Sequence, residues 1–232
     1  MMVPIAELIL YVDCVSPYSY FAYVNLCRYR ETLHRHLIKT QVVPFFLGGA
    51  RDGNGSPYQE PPPVKAAWSA KDLAYTGKTL GLKIKMPDVF PISSLYPVRV
   101  ATYINTNLGA DLTERSLVRL WEAYWTQGLD ISSRQDIEES LRPLFPETSQ
   151  LEAVLEGAVT GTNKAKMRQT TDSLMKGGCF GAPWFVATNS SGDMEQFWGN
   201  DRWDHIFQHL GVPFTPVTPL LPENSSKLHW KL

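Results

Sequence analysis

Residues 7–46 change their hydrophobic period twice, and this limits the possible folds more than any other stretch. Glu7–Asp13 is a short apolar run rich in strand formers and reads as a first strand. From Pro17, the residues Tyr20, Phe21, Tyr23, Val24, Leu26 and Cys27 recur at helical spacing to about Leu33. Ile38–Phe46, with Val42, Val43, Phe45 and Phe46, reads as a second strand. Strand, helix and strand in this order imply a right-handed crossover and a parallel strand pair. The helix start is marked twice. Pro17 suits a first helical position, where its missing N–H costs nothing, and Ser16 is a natural N-cap.

Beyond this opening, Gly and Pro cluster through residues 47–63, which predicts a loop. Segments 64–80, 94–107, 111–127, 132–143 and 148–176 carry helical patterns. Strand character returns at Pro183–Ala187 and Met194–Trp198, joined by a hairpin turn over Asn189–Asp193. Gly199-Asn200-Asp201-Arg202 then opens a last helix running to about Leu210. The order β-α-β, helical block, β-β-α is that of an α/β thioredoxin-like fold with an inserted all-helical domain. The expected boundaries are 1–50 and 177–212 for the discontinuous thioredoxin-like domain, 51–176 for the helical insert and 213–232 for a C-terminal tail.

Composition narrows the function classes. With 22 basic and 23 acidic residues among 232, nothing calls for nucleic acid or another polyanion as partner. The apolar runs are too short to span a bilayer. The start has no basic n-region followed by a cleavage pattern, so no secretory signal is read. Cys14, Cys27 and Cys179 contain no Cys-x-x-Cys pair, which argues against a disulfide framework or a zinc knuckle and for a reducing, intracellular compartment. The cytoplasm is the simplest such home. Trp230-Lys231-Leu232 ends like a peroxisomal address, and a mitochondrial site is a further alternative. The Asn189 and Asn224 sequons carry no meaning without secretion.

Ser16-Pro17-Tyr18-Ser19 sits at a strand-to-helix junction, where thiol-handling enzymes often place Cys-x-x-Cys. Here both outer positions are serine. Free N–H groups, the helix dipole and a hydroxyl could all stabilise a thiolate, yet the motif has no sulfur of its own. The thiolate then comes from outside. Lowering a thiol pKa from about 8.5 by roughly 2 units needs ~2.7 kcal/mol. A helix terminus with one or two hydrogen bonds can supply that.

Four stretches in order resemble the class kappa glutathione transferases and the related 2-hydroxychromene-2-carboxylate isomerases of the DsbA-like group. They are Asp13-x-x-Ser16-Pro17-Tyr18-Ser19-Tyr20, Asn54…Lys65…Asp72, Phe180-Gly181-Ala182-Pro183 and Gly199-Asn200-Asp201-Arg202. The resemblance implies glutathione as co-substrate or recycled cofactor, with no metal. It gives Ser16 the sulfur and places Tyr18 at the pocket. Pro183 would be a cis-proline, with Ala182 offering its backbone to the extended tripeptide. Asn200, Asp201 and Arg202 would grip the γ-glutamyl end, although Asn stands where relatives often have Ser. Asn54 and Lys65 would lie near the glycyl carboxylate, and Asp72 would approach the ligand of a partner subunit in a homodimer. The implied reaction is attack of the glutathione thiolate on an electrophilic apolar substrate. Two alternatives stay open: glutathione-dependent isomerisation, and a non-catalytic glutathione-binding protein. His205 and His209, four apart, lack the further ligands of a metal site and read as surface or packing residues. Cys14 and Cys179 read as small buried hydrophobes. Trp121, Tyr124 and Trp125 read as core or pocket wall.

Overall fold

A computed structural model describes residues 6–216. The chain start, most of the expected tail, the Asn224 sequon and the C-terminal tripeptide lie outside them. Strand β1 (Glu7–Val12) is central in a four-stranded sheet of order β2-β1-β3-β4. It runs parallel to β2 (Lys39–Pro44), with Leu10 opposite Val42, and antiparallel to β3 (Trp184–Thr188), with Tyr11 opposite Trp184. β3 runs antiparallel to β4 (Met194–Trp198). Along β1 the buried residues alternate, Leu8, Leu10 and Val12 being fully covered.

Helix α1 (Pro17–Arg35) links the parallel pair, and its length follows from good ends. Ser16 accepts the Ser19 amide as N-cap, and His34 and Arg35 lie in the last turn, where the dipole favours positive charge. Between β2 and β3 the chain is helical: α2 (Leu47–Gly53), α3 (Pro63–Thr79), α4 (Leu95–Asn107), α5 (Ala110–Glu122), α6 (Arg134–Leu141), α7 (Thr148–Ala158) and α8 (Gly161–Lys176). Helix α9 (Trp203–Leu210) closes the order. The main core is continuous from Leu8 and Leu10 through Phe21 to Ile104, Leu117 and Trp121. A smaller cluster of Phe45, Ala50, Leu174, Cys179 and Trp184 joins α2 and α8 to β3. No helix among the described residues is long and apolar enough to cross a membrane.

Five expectations change in detail. Residues 47–63 are not all loop, because α2 occupies the first seven. The 111–127 segment ends in a π turn at Ala123–Gln127, and the 132–143 segment ends in a 3-10 turn at Arg142–Leu144. The 148–176 segment is two helices, since Thr160 leaves helical geometry and caps α8 by accepting the Asn163 amide. The last helix starts at Trp203, not Gly199. Gly199 has φ +111°, a conformation that suits a residue without Cβ, so Asn200 and Asp201 form a turn ahead of α9.

Candidate functional site

The ends of four stretches meet around Ser16. Its hydroxyl oxygen accepts the Ser19 amide at 3.2 Å and donates to the Ala182 carbonyl at 3.3 Å. The Ala182–Pro183 peptide bond is cis, as is Phe90–Pro91. The short segment 179–183 then reaches every other wall. The Cys179 carbonyl accepts the Asn54 side-chain amide at 2.6 Å. The Pro183 carbonyl accepts the Gly199 amide at 3.3 Å, which holds the Asn200–Arg202 turn beside it. Ser16, Asn54, Ala182, Pro183 and Gly199 are thus linked through segment 179–183 by hydrogen bonds, although they span most of the chain.

Tyr18 is half-buried and meets Phe21 edge-on at 5.9 Å. Burial raises its phenol pKa, and the nearby Asp72 carboxylate raises it further, so α3 faces this end of α1 through Asp72. Asp201 and Arg202 are exposed and pair with each other at 3.1 Å. Arg202 occupies the cap position of α9 without a side-chain cap bond. The expectation that Gly199–Arg202 opens the last helix is corrected here: only Arg202 stands at its cap, and Asn200 and Asp201 precede it. Lys65 is exposed on α3 and makes no hydrogen bond or ion pair among the described residues. Asn54 is the C-cap of α2, and one of its amide hydrogens is already used on Cys179.

All three cysteines are unpaired. Burial pushes the Cys14 thiol well above its ordinary pKa, and it pushes Cys179 to about 11 despite a lowering contact with Gly181. Neither supplies a thiolate near neutral pH. His209 lies 3.1 Å from both the Ala187 and Asp193 carbonyls, a packing role between α9 and the β3–β4 hairpin.

Sequence reasoning assigned no role to Asp13, the residue on which most of these elements converge. It is fully buried at the end of β1. One carboxylate oxygen accepts the Val15 amide at 2.9 Å. The other accepts the Leu47 amide and the Ser94 hydroxyl, each at 2.8 Å. Its backbone carbonyl accepts the Ser16 amide at 3.2 Å and the Trp121 indole N–H at 3.1 Å. The available signal was an acid within an apolar strand end, where an unsatisfied charge would be costly.

Burial raises the Asp13 pKa above its ordinary value, while the Val15, Leu47 and Ser94 hydrogen bonds and the Arg51 charge pull it back. The folded chain therefore holds this proton more tightly than the unfolded chain. The resulting stabilisation is fully present below about pH 4 and is lost as pH rises through the folded value. Denaturant midpoints of wild type and Asp13→Asn, compared from about pH 7 down to pH 4, should show wild type gaining on the variant. A relative loss on acidification would contradict the raised value.

The DsbA-like thioredoxin domain model matches residues 7–211. Glutathione S-transferase kappa 2 of Caenorhabditis elegans is 29% identical over 217 residues, covering 88% of this chain and 91% of that protein. Human glutathione S-transferase kappa 1 is 27% identical over 219 residues, covering 90% and 93%. Among solved structures, a 2-hydroxychromene-2-carboxylate isomerase superposes with a TM-score of 0.69 at 19% identity, covering 88% of this chain and 94% of that one. A probable DsbA oxidoreductase of Streptomyces coelicolor gives 0.66 at 14%, covering 93% and 94%. These two likenesses concern the fold.

Proposed function

Because this chain belongs to the DsbA-like thioredoxin domain family but has serine at both outer positions of Ser16-Pro17-Tyr18-Ser19, where thiol-handling relatives of this fold place Cys-x-x-Cys, we propose that it is a glutathione transferase of the kappa type. The observation that carries the reading is the Ser16 hydroxyl held against the carbonyl before cis-Pro183, at the N-terminus of a 19-residue helix. The kappa relatives, similar over most of their length, support it.

Glutathione would lie extended along Ala182, its backbone pairing with that residue as an added strand. Its sulfur would reach the start of α1. The Ser16–Ala182 bond is long at 3.3 Å and is readily exchanged, so the hydroxyl can turn to donate to sulfur while its oxygen still accepts Ser19. The thiol proton leaves to solvent, and the hydroxyl and helix terminus hold the thiolate. The sulfur lone pair forms a bond to an electrophilic carbon, and the electron pair displaced from that carbon leaves with the departing group. The γ-glutamyl carboxylate would meet the first amides of α9. Asp201 would take the ammonium by giving up its pair with Arg202. Lys65 and the remaining Asn54 amide hydrogen suit the glycyl carboxylate.

Immobilised glutathione and a turnover assay with a chlorinated aromatic electrophile test the reading. Retention with glutathione consumed supports transfer. Retention and turnover with no net glutathione loss would move the assignment to isomerisation, and no retention overturns it.

The reading extends to a homodimer. Val64, Trp68 and Tyr75 on α3 are 84%, 63% and 70% exposed, and spacings of four and seven residues keep them on one stripe. Asp72 lies on the same helix, so a second copy covering this stripe would also bring Asp72 toward its ligand. Trp68→Glu places a charge in that stripe. Sedimentation should show wild type as a dimer and the variant shifted to monomer with an unchanged melting profile at low concentration. A wild-type monomer removes the proposal.

A further inference from the structure

Helix α2 has seven residues and no cap of its own. The residue before it, Phe46, has no side-chain acceptor, and the helix carries three glycines in Leu47–Gly53. Such a segment does not hold helical shape unaided. Ala50 packs it against α8 and β3, the Phe46 amide before it donates to the Thr171 hydroxyl at 3.2 Å, and its two ends are held by hydrogen bonds to distant points. At the front, the Asp13 carboxylate takes the Leu47 amide at 2.8 Å, doing in trans what an N-cap side chain does locally. At the back, the Asn54 side chain donates to the Cys179 carbonyl at 2.6 Å, two residues from Gly181 and three from Ala182. The same carboxylate fixes the Val15 amide in the turn leading to Ser16, and it accepts the Ser94 hydroxyl just ahead of α4. α2 is therefore a strut, pinned to the Ser16 turn at one end and to the cis-proline segment at the other.

We propose that Asp13 is a positioning residue for glutathione: by capping α2 from across the fold, it holds the Asn54–Cys179 wall in register with Ser16. It touches neither sulfur nor electrophile. Its buried oxygens make no contact that a ligand could replace, because each already accepts a hydrogen bond. The carbonyl that anchors the Ser16 amide belongs to the Asp13 backbone, so a side-chain substitution leaves that anchor in place. The hydroxyl's own partners, Ser19 and Ala182, do not involve the carboxylate either. Loss of the carboxylate should therefore weaken glutathione binding and leave the bound reaction nearly intact. This inference rests on the proposed function for its kinetic test, and α2 offers a second readout that does not.

Asp13→Asn keeps the shape but has one acceptor oxygen, so its amide must face either the Val15 N–H or the Leu47 N–H. The KM for glutathione should rise about tenfold or more, a change of ~1.4 kcal/mol, with kcat at saturation within about twofold. Affinity for S-methylglutathione should fall by the same factor, because the wall and not the thiol is disturbed. Amide exchange at Ala50 and Asn54, whose N–H groups bond to Phe46 and Ala50, should quicken in the variant. Leu47→Pro is the second variant. Proline is tolerated at a first helical position, and the extended Phe46 before it has φ −92° and ψ 101°, so this change deletes the bonded N–H and leaves Asp13 in place. It should reproduce the KM rise, and it decides the matter if Asp13→Asn does not fold. A kcat that falls with the folded fraction at constant KM makes Asp13 a structural acid only and overturns the proposal. An unchanged KM in Leu47→Pro overturns it too. If wild type does not bind glutathione, the proposed function fails. Unchanged α2 exchange in Asp13→Asn would then reject the capping role separately.

Discussion

Ser16→Ala should lower kcat/KM with glutathione at neutral pH by about a hundredfold, the cost of losing one hydrogen bond to a charged group near ~3 kcal/mol. The deficit should shrink as pH rises. On the proposed mechanism wild type would hold its bound thiol below the ordinary value, so its thiolate would already be formed near neutrality. The variant keeps only the helix terminus, so the acidic limb of its pH–rate profile moves to higher pH. Above about pH 9 free glutathione ionises unaided, and the two enzymes converge in thiolate fraction. The substitution also removes the cap that accepts the Ser19 amide. That costs about 1 kcal/mol, or roughly 2–4 °C in melting temperature for a chain of this size. The stability loss is too small to explain a hundredfold rate loss with the enzyme still folded. A variant with full activity and a lowered melting temperature would leave Ser16 as an N-cap and nothing more.

What could be read from the sequence depends on how far apart the interacting groups lie. The β1–α1–β2 opening was legible because its signals are local: an alternating apolar run, a Ser-Pro helix start and a second apolar run. Ser16 as cap was legible because its partner, Ser19, is three residues away. Helix α2 was not, because its capping acceptor lies 34 residues upstream and its glycines argue locally for a loop. Asp13 was quoted as part of a motif but given no role, since all that distinguishes it is burial among donors from the β1–α1 turn, α2 and the chain before α4. The start of α9 was misplaced by four residues, because Gly199-Asn200-Asp201 has the residue types of both a turn and a helix start. The cis bond at Pro183 was expected from the resemblance, and nothing in the residues around it required one. Lys65 shows the limit from the other side. It matches a motif position, but it has no hydrogen-bond or ion-pair partner among the described residues, so its role rests on the ligand.

Trp121→Ala should be the most destabilising single change near the site. Trp121 is fully buried on α5, stacked on Tyr20 of α1 at 5.2 Å and 15°, with Tyr23 at 5.7 Å. Its indole N–H reaches the Asp13 carbonyl at 3.1 Å, so the residue ties the helical segment to the end of β1. Truncation leaves a cavity between α1 and α5 that neither helix can close without moving Ser16 or Asp13. A buried Trp→Ala change costs about 3–5 kcal/mol, a large share of a total stability of about 5–15. At roughly 2–4 °C per kcal/mol the melting temperature should fall by about 10 °C or more. The lost hydrogen bond is the smaller part, because the Asp13 carbonyl keeps the Ser16 amide and is not left unpaired. Trp121→Phe separates the two contributions. It keeps most of the stacked volume and loses the N–H, so it should cost about 1–2 kcal/mol and retain most of the activity per folded molecule. Calorimetry of both variants checks the ranking. Equal losses in Phe and Ala would mean that the hydrogen bond, and not the packing, joins the helical segment to the site.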